Sequence, residues 1–429
     1  MRKLIALSVI TLQVVGTGAK AAPMLRDSSA GACDIAGFVA VPGTDICVRI
    51  SGYVGAYAGL ASDNVTGLGG WPSYGWDSVA AQTVHTTGDT LSLHAQARLG
   101  FDARQQTEYG TLRTFIEMQA EDANAATGAA FRLRHAFIQF GNWTFGKTTR
   151  LTAHPPAVPG ATEFYGFLAD PYRRLIQLRY TRSLGDGLTA AVALEDPAYA
   201  QRGDYVANWL SARATASGAP LAPPATGRPE RDEIPAMVAA LVIEGDWGSA
   251  KLAGGLRQNV YAMAGGAADR SIGWRLDAAA NIVLTEKLNL LAMTYYAHGF
   301  NAHSSLGLGD VVWDSSVPGG RIGGAADEWM VMLGASYAVG PDLKASIAAA
   351  FARARPETTA GTALAAVPPG AADVEVLQLL GSLFWQPADK IEIGLDLGYT
   401  RVRYGVAAPS ANAIDADAVS VAFQAIRRF

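Results

Sequence analysis

Along most of this chain hydrophobic and polar residues alternate with a period of two, the spacing of a strand with one greasy and one wet face. In Leu91–Ala103 the residues Leu91, Leu93, Ala95, Ala97, Leu99 and Phe101 share one side. Ser92, His94, Gln96, Arg98 and Asp102 share the other. Ile272–Leu284 repeats the pattern, with Ile272, Trp274, Leu276 and Ile282 opposed to Arg275, Asp277 and Asn281. So does Lys390–Val402, where Ile391, Ile393, Leu395, Leu397 and Tyr399 oppose Glu392, Gly394, Asp396 and Gly398. Read in this way, the chain predicts sixteen strands, from Val48–Leu60 to Ala418–Phe429. Seven tight turns such as Gly185-Asp186-Gly187 and Pro387-Ala388-Asp389 alternate strictly with eight longer loops. Met237–Ile243, Asn289–Tyr296 and Ala345–Ala352 are apolar on both faces in places, so their inward residues are not legible.

An even strand count with both ends on the short-turn side, in segments near the length a tilted membrane strand needs, predicts an all-β fold. It is a 16-stranded antiparallel transmembrane β-barrel. A barrel in water would put its apolar face inside; the legible strands put charge there instead.

One stretch breaks the rhythm. Phe131-Arg132-Leu133-Arg134-His135-Ala136-Phe137 places Arg132 and Arg134 on one face and Phe131, Leu133 and Phe137 on the other. After Gly141-Asn142-Trp143 and a short strand comes a long connection, Thr148 to Arg173, with Pro155, Pro156, Pro159 and Pro171 and the carboxylates Glu163 and Asp170. Loops of this length are usually functional. Arg98, Arg113, Arg132, Arg134 and Arg179 all lie opposite apolar stripes on neighbouring strands. An arginine facing lipid near the midplane costs about 2–4 kcal/mol, so these side chains are expected to face a lumen. There they either form a charged constriction opposite Glu163 and Asp170, or pair with inward Asp102 and Glu117 to brace the wall.

The ends of the chain and its composition add three constraints. Arg2 and Lys3, the apolar run Leu4–Val15 and Ala19-Lys20-Ala21 read as a signal peptide over 1–21. Its removal takes three bases and leaves 31 basic against 38 acidic residues, an unsuitable balance for nucleic-acid binding. Gly is plentiful, at 47 residues, and mean hydropathy is only +0.14, as expected where apolar residues are spread by alternation. Six scattered histidines (85, 94, 135, 154, 298 and 303) give no metal-ligand spacing. Nucleophile elbows and phosphate-cradling loops are absent, so neither an enzyme nor a cofactor is expected.

The chain resembles the general porins of alphaproteobacteria. The likeness is carried by Cys33 and Cys47 around Phe38 and Pro42-Gly43-Thr44, by Arg49-Ile50-Ser51-Gly52-Tyr53-Val54, by Arg134–Gly141 and Arg179–Glu195, and by terminal Phe429. That resemblance implies a homotrimer in the outer membrane, among its lipid and lipopolysaccharide, with an inward-folded third loop and Phe429 as barrel-assembly signal. It further implies passive diffusion of ions and small hydrophilic solutes. A substrate-selective channel for sugars or an anion is the alternative, for which Phe164, Tyr165 and Phe167 would be an aromatic slide. The organisation expected is a signal peptide (1–21), an N-terminal periplasmic segment (22–47) and a barrel (48–429) with its constriction loop at 148–173.

Cys33 and Cys47 are the only cysteines, and export places them in an oxidising compartment, where a disulfide is the expected state. A metal site would need more ligands than nearby Asp34 and Asp45. The staple contributes on the order of 3 kcal/mol. Thiol labelling of denatured, unreduced protein is expected to find neither cysteine; labelling of both would remove the disulfide.

Overall fold

The computed structural model describes residues 33, 36–62, 90–122, 130–162, 173–196, 233–261, 268–301, 304–306, 309–314, 321–357, 373–405 and 414–429. Sixteen long strands form its wall. They are β1 (Ile46–Ala61), β2 (Thr90–Thr107), β3 (Gly110–Asp122), β4 (Ala130–Phe140), β5 (Trp143–Thr149), β6 (Arg174–Gly185), β7 (Leu188–Glu195) and β8 (Ala236–Gly245). The second half comprises β9 (Gly248–Tyr261), β10 (Asp269–Val283), β11 (Leu288–His298), β12 (Arg321–Ala338), β13 (Leu343–Pro356), β14 (Val374–Ala388), β15 (Ile391–Tyr404) and β16 (Ile414–Arg428). Each pairs antiparallel with its neighbours in chain order. Two short ribbons, Val39–Ala40 against β1 and Val311–Asp314 against β12, are added to the sheet.

The sheet closes where the chain's two ends meet. β16 pairs with β1 from Ser420↔Ala61 to Arg428↔Tyr53, and Gly52 and Phe429 exchange two backbone hydrogen bonds of 3.3 and 3.0 Å. Gly52 is required there by space: an added Cβ would lie 2.2 Å from the Arg98 carbonyl oxygen and 2.8 Å from the Phe429 ring. The Asp186-Gly187 turn has positive φ at both residues (49° and 77°), which matches the twist of a two-residue hairpin. Cys33 and Cys47 are bonded, with Cα atoms 5.2 Å apart, at the short-turn end of β1.

Outward faces are apolar and exposed, as in Leu91, Leu93, Ile272, Leu276, Ile347, Leu383 and Leu397. Near the short turns this belt ends in a girdle of exposed aromatics, among them Tyr109, Trp143, Trp247, Tyr337, Trp385 and Phe429. Near the long loops it ends in outward ion pairs: Arg355 with Asp327, Arg353 with Asp373 and Glu375, Arg403 with Glu375, and Arg401 with Asp415. On β14 the ten residue steps from Glu375 to Trp385 span about 23 Å of membrane at a 45° tilt, close to the apolar band of an outer-membrane barrel. Charge at that upper rim costs only about 0–1 kcal/mol.

One face assignment is corrected. A bulge between Glu117↔His135 and Met118↔Leu133 puts an extra residue, Arg134, into β4. Phe131 remains outside at 78% exposure, but Phe137 is turned into the lumen at 5%. Simple alternation carries no sign of this bulge.

Lipid leaves no tolerance for an open edge, because unsatisfied backbone groups there cost several kcal/mol each. Deleting Phe429, or replacing Gly52 by Leu, is therefore expected to cut sharply the yield of folded, heat-modifiable protein. Unchanged yield would show that this seam does not govern closure.

Candidate functional site

After Thr149 the chain leaves the wall and enters the lumen. The Leu151 N–H donates to Glu195 Oε1 of β7 (2.6 Å), and the Ala153 carbonyl accepts from Lys251 Nζ of β9 (2.6 Å). His154 Nε2 lies 3.0 Å from Ser249 Oγ. Burial, with the Lys251 charge adding to it, lowers that imidazole to about 4, so it is neutral at physiological pH. A single 3-10 turn, Pro155–Ala157, follows. At Gly160 the loop meets the far wall, where an added Cβ would lie 3.3 Å from the Phe384 ring and 3.4 Å from Ser346 Oγ. Finally the Thr162 N–H donates to Asp396 Oδ2 of β15 (2.6 Å). The loop leaves from β5 and touches β13, diametrically opposite in a wall of sixteen, so it crosses the lumen. Glu163 and Asp170, and the aromatic residues Phe164, Tyr165 and Phe167, lie outside the described residues.

The wall arginines face inward and are engaged along the wall. Arg113 grips Asp102 with two hydrogen bonds (2.8 and 2.9 Å) and reaches Gln139. Arg104 joins it at Asp102. Arg98 donates twice to Gln119 (3.1 and 2.8 Å), with Glu117 at 4.0 Å and the Tyr53 ring beneath it. Arg134 binds Glu117 and Gln119 at 2.8 Å each, while Arg132 lies 3.3 Å from Glu121. Gln119 also donates to Glu121, which links these groups into one chain across β2, β3 and β4. Arg179 stands apart on β6: its Nε is buried without a partner, and Glu195 is the carboxylate whose charge it feels. The wall-bracing pairs anticipated at Asp102 and Glu117 are thus present, on lumenal faces.

Two features were not legible in the sequence. The connection after β11 also folds into the lumen. Phe300 lies over the Arg275 guanidinium, Asp310 pairs with Arg257 (3.0 Å), and the Ser305 and Leu306 N–H groups donate to the Tyr295 hydroxyl and Glu328 Oε1. The only hint was an unusual share of apolar residues (Phe300, Leu306, Val311, Val312) for a loop assumed to lie in water. The second feature is an apolar lumenal half. Met330, Met332, Ala348, Ala350, Val374 and Val376 face inward and are buried in one cluster, with Ala161 of the crossing loop packed against it. Polar-in holds around β2–β4 but not here. Among the described residues no group of three or more His, Cys, Asp or Glu is placed to hold a metal.

Residues 32–417 match the model of a family described as the porin subfamily. Among curated proteins, Porin Omp2b of Brucella suis is 26% identical over 239 residues, 51% of this chain and 54% of that protein. The chain spans between 29% and 54% of the length of the curated relatives it matches. Among solved structures, the outer membrane channel DcaP of Acinetobacter baumannii superposes with a TM-score of 0.67 at 19% identity, over 90% of this chain and 97% of that one. A trimer form of OmpT from Vibrio cholerae gives 0.52 at 11% identity, over 89% and 99%. At such identities the likeness concerns the fold.

Asp396 fastens the far end of the described loop, and its loss leaves the Thr162 N–H unpaired at a cost of about 1–3 kcal/mol. Asp396→Ala is expected to give larger and noisier single-channel currents, while Asp396→Asn, which keeps an acceptor oxygen, stays near wild type. Identical currents from all three proteins would show that other contacts hold the loop.

Proposed function

Because the chain belongs to the porin subfamily, we propose that it is a water-filled outer-membrane channel through which ions and small hydrophilic solutes diffuse passively. The observation that carries this reading is the loop from Arg150 to Thr162, which narrows a closed barrel by crossing from β5 to β15. Sixteen strands enclose a space too wide for wall side chains alone to fill, so an inward loop sets the aperture. The apolar outer belt between its aromatic and charged rims places the chain in the outer membrane. The family consists of channels, and the proposal includes no chemical step.

The constriction assigned to this channel comprises the crossing loop and the lumenal residues Arg98, Arg113, Arg132, Arg134 and Arg179, with Glu163 and Asp170 as the loop's carboxylates. Low-dielectric walls strengthen opposed charges at short range, so polar solutes are favoured over apolar ones. Assembly as a homotrimer is part of the proposal. It is supported by family membership and by the broad apolar outer faces of β1–β4, where Val54, Leu91, Leu93, Ile116 and Phe131 stand exposed.

Arg132→Ala combined with Arg134→Ala removes two positive charges and releases Glu117 and Glu121 from their partners. Reversal potentials in a salt gradient are expected to shift toward cations, with a modest rise in conductance and little change in trimer yield. Wild-type conductance and reversal potential in low salt, where screening is weakest, would remove these arginines from the constriction.

A further inference from the structure

The connection from β11 to β12 has a seat prepared for it in the wall. Its first residue, Gly299, has a positive φ of 62° and turns the chain inward. Asn259 Nδ2 of β9 donates to the Gly299 carbonyl (2.8 Å). Two wall glycines leave the space that the segment occupies. A Cβ added at Gly273 of β10 would lie 1.9 Å from the Gly299 carbonyl oxygen, and one at Gly255 of β9 would lie 3.0 Å from the Phe300 ring. Phe300 fills its socket completely and is buried there.

Backbone groups that a surface loop would give to water are here given to the protein. The Asn301 N–H donates to Asp310 Oδ1 (2.6 Å), and the Asn301 side-chain amide donates to the Gly309 and Ala326 carbonyls (2.8 Å each). The Ser305 N–H donates to the Tyr295 hydroxyl (2.7 Å), which itself donates to Glu328 Oε1 (2.6 Å). That carboxylate oxygen also accepts the Leu306 N–H (2.8 Å). Asp310 pairs with Arg257 of β9 at 3.0 Å, and both side chains are buried. Leu306 and Val312 belong to the same apolar cluster as Met330, Met332, Val374 and Val376. A buried segment whose polar groups are matched in this way is held as firmly as the wall that matches them.

This segment stands at a different depth from the crossing loop. On β9 the crossing loop is held by Ser249 and Lys251, next to the short turn, whereas the second segment is held by Gly255, Arg257 and Asn259. The six residue steps from Lys251 to Arg257 correspond to about 14 Å along the barrel axis at a 45° tilt. We propose that residues 299–301, 304–306 and 309–312 form a second constriction, in series with the crossing loop and nearer the long-loop end, positioned by the Arg257–Asp310 pair. This inference rests on the channel reading. The aperture is then set at two levels, and a solute that passes one must still pass the other.

Ser304 lies buried within the segment, and Cys33 and Cys47 are bonded to each other, so Ser304→Cys supplies a single free thiol there. In folded, detergent-solubilised protein that thiol is expected to resist a hydrophilic maleimide. Adding Asp310→Ala removes the carboxylate partner of Arg257 and the acceptor of the Asn301 N–H, and is expected to speed labelling roughly tenfold or more. Phe300→Ala, which empties the socket over Gly255, loosens the segment by a second route and is expected to act in the same direction. Heat-modifiability shows that each variant has folded. In planar bilayers Asp310→Ala and Phe300→Ala are each expected to raise single-channel conductance roughly 1.5-fold. Asp310→Ala combined with Asp396→Ala is expected to conduct more than either alone. Fast labelling of Ser304→Cys by itself, or wild-type conductance in both folded variants, would overturn the proposal, as would a double variant no more conductive than Asp396→Ala. A wild type that conducts nothing would defeat the channel reading, and the constriction with it; a conducting wild type with unchanged variants defeats the constriction alone.

Discussion

Every backbone N–H and C=O that meets lipid must be satisfied within the sheet, and the rest of this structure depends on that constraint. It explains why β16 returns to β1, why Gly52 leaves room for the Phe429 ring, and why outward side chains are apolar between two rims. It also decides the location of charge. Arginines at the upper rim face outward, where water and headgroups lie within reach. Arg98, Arg113, Arg132 and Arg134, on spans deeper in the wall, face inward instead.

Closing sixteen strands satisfies the backbone but leaves an interior that the wall cannot fill. The protein answers by sending chain into it. Residues 150–162 cross the lumen, and residues around 300–312 fold in beside β9–β12. Their apolar parts rest on an apolar lumenal surface of Met330, Met332, Ala348, Ala350 and their neighbours, which would be poorly suited to water if left bare. Small residues on β13 (Ala348, Ala350, Ala352, Ala354) keep that wall low enough for covering chain to approach. One half of the barrel is thus packed like a protein core, and the charged half is left to carry the electrical character of the passage.

Charge within that half holds neighbouring strands together. Around β2–β4, Arg98, Arg104, Arg113, Arg132 and Arg134 are engaged across neighbouring strands by Asp102, Glu117, Glu121 and neutral Gln119. Such a network braces the wall and leaves positive charge on the lumenal face.

The sequence by itself determined the elements whose cause is local. Alternation located the sixteen strands, although β1 begins at Ile46 rather than Val48 and β12 begins at Arg321, eight residues before the Trp329 that alternation gives it. Turn chemistry located the tight connections, and export with two cysteines anticipated the Cys33–Cys47 bond. Membrane cost placed Arg98, Arg113, Arg132, Arg134 and Arg179 on lumenal faces, because period-two geometry assigns a face without knowledge of any partner. The tertiary structure decided everything that depends on residues distant in the chain. The bulge at Arg134 turned Phe137 inward because register is set by the strand opposite. Asp396 became the anchor of a loop more than two hundred residues earlier, and Lys251, in a strand with no distinctive pattern, came to lie beneath Ala153. Such meetings are created by closure of the barrel, which brings β5 opposite β13, and no local pattern encodes that distance.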